Sequence, residues 1–170
     1  SRNMERFGID VEFIDGLRVT TEEAMEVVKM TLIGKVNEEL VRAMNQHGNL
    51  AVGVNGADAG TIVAEQVRPE LGRVGSVIEV NPAYLKSLIN AAYVPIIASV
   101  GKGEDGDSFN INADAVACAV AGAIGAQKII FLTDVDGFYE DFDDKDSLVS
   151  RMSLQETRDM LAEGLSSGEA

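Results

Sequence analysis

Three short polar motifs bring together residue types that recognise carboxylates and phosphates. Asp15-Gly16-Leu17-Arg18-Val19-Thr20 sets an arginine after a strand-like run and just ahead of a helix start. A guanidinium there has a planar fork that grips a carboxylate bidentately, although a surface arginine with no ligand is the more frequent case. Asn110-Ile111-Asn112-Ala113-Asp114 delivers two amides and a carboxylate to the mouth of a helix. Capping explains part of it: Asn112 can cap, and Asp114 in the first turn gains about 0.3–1 kcal/mol from the helix dipole. Capping needs one such residue and leaves Asn110 without a task, so a small carboxylate held by asparagine side chains and helix amides competes with it on even terms. Thr133-Asp134-Val135-Asp136-Gly137 ends another strand-like run. Its carboxylates could accept hydrogen bonds from a ribose or base, or simply form a turn.

Other motifs fail on context. Gly101-Lys102-Gly103-Glu104-Asp105-Gly106 matches the glycine spacing of a dinucleotide fingerprint, which requires a helix opening on the glycines. Here Asp107-Ser108-Phe109 follows instead, and Glu104, Asp105 and Asp107 would repel an anion. Counted from Asp141, the acidic stretch Asp141, Asp143, Asp144, Asp146 has Asp146 and Met152 where a calcium loop needs Gly and Glu. A solvated acidic loop is the expectation. The one histidine, His47, has no second His for a dyad or metal pair, and Cys118 lies mid-helix among alanines, a small thiol rather than a nucleophile.

The elements that carry these residues follow from pattern. A strand is expected over Val11 to Ile14, then a helix opened by the capping-box pair Thr20 and Glu23 and interrupted at Gly34, then a second helical stretch with Val36, Leu40, Val41 and Met44 on one face. Leu50 to Val54 reads as a strand, and Thr61 to Val67 with Arg73 to Val80 as short antiparallel strands around Leu71-Gly72, with a helix as the alternative for the first run. Asn81-Pro82 starts a helix. Val94 to Ala98 is a buried strand, Gly101 to Asn112 a polar loop, Ala113 to Ile124 a small-residue helix ending at Gly125, and Lys128 to Leu132 another buried strand. Strand, helix and strand make a βαβ unit, hence an α/β fold with parallel strands. Ser153 and Glu156 have capping-box spacing for a last helix.

The 170 residues include 28 Asp plus Glu against 14 Lys plus Arg, a formal charge of −14. Such an excess repels a phosphate backbone and an anionic bilayer, so neither nucleic acid nor membrane is an expected partner. With 46% apolar and 25% charged residues, the composition is that of a soluble globular domain. A single cysteine excludes an internal disulfide framework and a Cys-cluster zinc site. No apolar run is long enough for a membrane helix, nothing at the start resembles a signal peptide, and a cytoplasmic location is expected.

Taken in order, Asp15 to Thr20, Asn110 to Asp114 and Phe131-Leu132-Thr133-Asp134-Val135-Asp136-Gly137 resemble the acetylglutamate kinases of the amino acid kinase family. Val80-Asn81-Pro82 and Tyr93-Val94-Pro95 are similar to that family too, so the likeness runs through essentially the whole chain. It implies a three-layer αβα sandwich with a mainly parallel open sheet. It also implies phosphorylation of the side-chain carboxylate of N-acetyl-L-glutamate with ATP and Mg2+, in arginine biosynthesis, by a homo-oligomer. By motif, Arg18 and Asn110 would bind the substrate carboxylates with Asn112 beside them, and Asp114 would orient catalytic lysines. Asp134, Val135, Asp136, Gly137, Phe138 and Tyr139, with the Gly164-Leu165-Ser166-Ser167 turn, would line the adenine and ribose pocket.

The likeness has gaps. The family's leading Gly-rich loops and phosphate-contacting lysine have no counterpart in residues 1–170, nor has the Gly-Met-x-x-Lys pattern expected after Ser167-Gly168. Lys102 and Lys128 stand at other motif positions. Residues 1–170 are therefore expected to form the interior of a longer kinase domain, holding much of a substrate site without a competent phosphoryl-transfer centre. A sister carboxylate kinase such as an aspartokinase, and a truncated ligand-binding or subunit module, are the rival expectations.

Overall fold

A computed structural model describes residues 2–9, 12–14, 17–133, 137–141 and 143–162. The chain divides into two units, Ser1–Ile129 and Ile130–Ala170.

The first unit opens with helix α1 (Arg2–Arg6) and two short strands, β1 (Phe13–Ile14) and β2 (Leu17–Arg18), which pair antiparallel with Phe13 opposite Arg18. Helix α2 (Glu22–Lys29) follows. Its N-cap is Thr21, whose hydroxyl accepts from the Ala24 amide at 3.1 Å. The expected cap, Thr20, is instead fully buried. Two adjacent threonines precede the helix, only one is needed at its end, and Thr20 is drawn inward by a backbone bridge to Gly72.

Gly34 does not interrupt the helix. The chain runs on through a π-helical stretch, Met30–Asn37, into α3 (Glu38–Asn45). A wider turn rotates the faces that follow it. Helix α2 buries Ala24, Met25, Val27 and Val28, whereas α3 buries none of its residues. The same rotation turns Asn37 inward, where its Nδ2 donates to the Ile96 carbonyl at 2.7 Å.

Strand β3 (Ala51–Asn55) lies parallel to β6 (Val94–Ala98), with Ala51 opposite Val94. Between them the chain makes β4 (Ile62–Gln66), β5 (Val74–Val80) and helix α4 (Ala83–Asn90), whose Ala83 amide donates to the Asn81 side chain at 3.1 Å. The expected Gly101–Asn112 loop is largely a hairpin, β7 (Val100–Lys102) and β8 (Ser108–Ile111), turning over 103–107. Strands β4, β5, β8 and β7 close into a small barrel. Such closure leaves little room inside. A Cβ at Gly101 would stand 2.6 Å from the Ile111 side chain, and one at Gly75 2.6 Å from Phe109, so glycines make space for the two large side chains.

Helix α5 (Ala113–Ile124) begins after the barrel and ends at Gly125, in left-handed conformation at φ 75°. Its Val116 and Val120 join Val54, Ile62, Leu85, Phe109 and Ile111 in the main core. The π stretch and α3 pack against the parallel pair through Asn37 and Val41 at Gly53. Helices and parallel strands thus give the α/β fold. The extended run expected at Lys128 to Leu132 is not a strand. Among the described residues no strand runs beside it to take its backbone hydrogen bonds, and Ile130 and Leu132 are exposed. The parallel pair is therefore β3 with β6, not a βαβ unit spanning α5.

The second unit contains strands β9 (Phe138–Tyr139) and β10 (Leu148–Val149), paired antiparallel, and helix α6 (Leu154–Ala162). Between the strands Asp141 and Asp144 accept from the amides of Asp143 and Asp146, both at 3.0 Å, so the acidic loop spends carboxylates on its own turns. The expected capping box forms, with Glu156 N bonded to Ser153 Oγ at 3.2 Å and Ser153 N to Glu156 Oε2 at 2.6 Å.

Candidate substrate site

Arg18 arrives at the site on β2, opposite Phe13, with its guanidinium 5.4 Å from that ring's centroid. Stacking on the ring orients the cation. Asn110 arrives on β8, between Val100 of β7 and Val74 of β5. Its backbone amide donates to the Arg73 carbonyl at 2.8 Å, and its side-chain Nδ2 donates to Thr20 Oγ1 at 3.3 Å. Among the described residues, one Nδ2 hydrogen and the Oδ1 acceptor of this side chain have no partner.

Arg18, Asn110 and Asn112 line one open cavity of about 900 Å³, floored by β5 and flanked by Ala115 and Cys118 of α5. Arg18 and Asn110 also line an adjoining cavity of about 540 Å³, together with Val27, Val28, Leu32, Arg6 and Lys35. Asn112 caps α5 by accepting from the Ala115 amide at 3.0 Å, which leaves its Nδ2 group uncommitted to that cap. Both tasks proposed for this asparagine are thus compatible.

Asp114 differs from these three. It is exposed in the first turn of α5, lines neither cavity, and makes no ion pair among the described residues. Of the expected nucleotide-binding set, Gly137, Phe138 and Tyr139 lie at the start of the β9–β10 hairpin, with Phe138 exposed and Tyr139 half-buried. Asp134, Val135, Asp136, Gly164, Leu165 and Ser166 lie outside the described residues.

Two residues of the site's frame escape sequence patterns. Thr20 hydrogen-bonds Asn110, and its doubled threonine was the only available signal. Arg73 follows Gly72, whose φ of 64° turns the chain tightly under Thr20. The Arg73 amide donates to the Thr20 carbonyl at 2.6 Å while its own carbonyl accepts from Asn110.

The sequence profile of the amino acid kinase family matches residues 1–170. The chain belongs to the amino acid kinase family. Acetylglutamate kinase of Streptomyces avermitilis is 44% identical over 99% of the chain and 58% of its own length. The acetylglutamate kinase of Bifidobacterium animalis subsp. lactis is 46% identical over 96% of the chain and 56% of its length. The chain therefore spans little more than half of these curated kinases. Among solved structures, smu.665 from Streptococcus mutans UA159 superimposes with a TM-score of 0.83 at 27% identity, covering 96% of the chain and 66% of that protein. N-acetylglutamate synthase from Neisseria gonorrhoeae, complexed with coenzyme A and N-acetyl-glutamate, gives 0.73 at 22% identity over 97% of the chain and 37% of its own, a likeness of fold.

Proposed function

We propose that this member of the amino acid kinase family supplies the acceptor-binding part of an acetylglutamate kinase. Such an enzyme transfers the γ-phosphoryl group of ATP to the side-chain carboxylate of N-acetyl-L-glutamate, in arginine biosynthesis, releasing ADP and an acyl phosphate. The observation that carries the proposal is the meeting of Arg18, Asn110 and Asn112 around one cavity. An arginine fork suits a carboxylate, and the amides beside it suit the second carboxylate and the acetamido group of the same small molecule.

Asp114 would act at the same helix mouth by orienting lysines that neutralise the transferring phosphoryl group. The stretch from Asp134 to Tyr139, with Gly164, Leu165 and Ser166, would hold the nucleotide. Among the described residues no three carboxylate, His or Cys side chains gather in a way that could hold a metal ion. Mg2+ would be carried in by the nucleotide phosphates and would supply charge neutralisation at the transferred group. The working protein would be a cytoplasmic homo-oligomer; no helix among the described residues is long and apolar enough to cross a membrane.

A second reading, a ligand-binding module without chemistry of its own, is favoured by Asp114 standing clear of both cavities. Another carboxylate kinase of the family is the third. Calorimetric titration with N-acetyl-L-glutamate, L-aspartate and L-arginine in separate runs discriminates among them. Heat with the first alone is expected. Saturable heat with aspartate in its place points to the sister kinase, and silence with all three rejects the site.

A further inference from the structure

Arg73 lines neither of the two cavities that Arg18 and Asn110 share, yet it is bonded to the chain segments that carry both residues. Its backbone stitches two strands together: the amide reaches the Thr20 carbonyl at 2.6 Å, and the carbonyl receives the Asn110 amide at 2.8 Å. Thr20 is two residues past Arg18, so the two substrate-facing side chains hang from opposite sides of one residue. The Arg73 side chain repeats the arrangement. Its Nε donates to Glu22 Oε1 at 2.9 Å, at the start of α2, and its Nη1 stands 2.6 Å from Asp107 Oδ2, just before β8. The guanidinium lies 5.8 Å from the ring centroid of Phe109, the buried neighbour of Asn110. Pairing with Glu22, and secondarily with Asp107, holds its pKa above the ordinary arginine value.

We propose that Arg73 is a positioning residue, a two-sided clamp that fixes the separation between the Arg18 strand and the Asn110 strand through Glu22 and Asp107. This rests on the acetylglutamate site proposed above. Glu22 and Asp107 are well exposed, and ion pairs to such groups add little to stability. The value of the clamp is geometric: ligand groups held between two strands lose affinity when the strands drift by an ångström.

The test uses the 170-residue chain and three variants, Arg73→Ala, Arg73→Lys and the double variant Glu22→Gln/Asp107→Asn. Affinity for N-acetyl-L-glutamate is measured by calorimetry, and amide hydrogen exchange by mass spectrometry. For Arg73→Ala the expected result is roughly 10-fold weaker binding with the thermal midpoint nearly unchanged, and faster exchange confined to peptides covering residues 17–22 and 103–110. The double variant reproduces the weakening with Arg73 in place. Arg73→Lys recovers part of it, since an ammonium can pair with one carboxylate but cannot span two as the fork does. Affinity within twofold of wild type in a folded Arg73→Ala chain overturns the proposal, as does a lysine variant no better than alanine. Should Arg73→Ala not fold, an unaltered double variant overturns it equally. Absence of acetylglutamate binding by the wild-type chain rejects the substrate assignment instead, and the exchange data alone then decide whether the clamp exists.

Discussion

Arg18 stacks on the ring of Phe13, and that contact holds its side chain at the cavity it lines with Asn110 and Asn112. Hydrogen bonds to charged groups contribute about 1.5–3 kcal/mol, so Arg18→Ala should weaken N-acetyl-L-glutamate binding by roughly 10- to 100-fold. Arg18→Lys should recover only part, because lysine offers a point charge without a fork or a stacking face. Titration calorimetry checks both, and an alanine variant that binds within twofold of wild type would remove Arg18 from the site. At this scale the sequence is legible where one residue type has one plausible use. Asn110 and Asn112 stand out because a helix start needs a single cap and their motif holds more polar groups than that, and Arg18 stands out for its planar fork just ahead of a helix start. Thr20 was misread for the same reason: either threonine of the doublet satisfies the capping pattern, and only the bridge to Gly72 decides which turns inward. Arg73 carries no motif. Its importance comes from what its two backbone groups and two carboxylate partners join, and those partners are distant in sequence.

Elements were legible where their signals are local. The caps at Asn112 and Ser153 and the Gly125 terminus form as their residues dictate, and of the two readings open for Thr61 to Val67 the antiparallel strand is the one that forms. Elements that depend on a distant partner were not. The hairpin of β7 and β8 looks like a loop in sequence because glycines and acidic residues fill its turn, and barrel closure makes it a pair of strands. The reverse holds at Ile129 to Leu132, where a strand-like apolar run has no partner strand among the described residues. Periodicity reports what a side chain prefers, whereas a strand exists only when a neighbour takes its hydrogen bonds. The capping box of α6 offers a test. Hydrogen bonds from Ser153, first from its side chain and then its backbone, hold the Glu156 carboxyl below the ordinary value of 4.5. A depressed carboxylate stabilises the folded form at pH values above its unfolded pKa, and that contribution disappears as pH falls through the folded pKa. The stability gap between wild type and Glu156→Gln should accordingly be full near neutrality and close in the acid range below 4.5. Helix content followed by circular dichroism along a pH series checks this, and a gap that stays constant with pH would refute the assignment.

For the molecule as a whole, the charge of −14 and the proposed binding of a dicarboxylate beside Arg18 pull in opposite directions. Binding a small dicarboxylate needs only a local cation, and Arg18 provides one within a wall of strands and amides. Transferring a phosphoryl group needs more, because negative charge spreads over the transferred group and must be met by several cations or a metal held in place. Arg18 is the sole cationic side chain among the described residues lining the cavity that also holds Asn110 and Asn112, and Arg6 and Lys35 line only the adjoining one, which neither Asn112 nor Asp114 lines. Lys102 and Lys128 are absent from its lining, and Asp114 has no lysine paired with it among the described residues. Binding and chemistry should therefore come apart in the 170-residue polypeptide. It should take up N-acetyl-L-glutamate with saturable heat and show no acetylglutamate-dependent release of ADP from MgATP in a coupled assay at the same protein concentration. Turnover above the rate without acetylglutamate would show that cations outside this cavity reach the reacting atoms, and the division between acceptor binding and phosphoryl transfer would have to be abandoned.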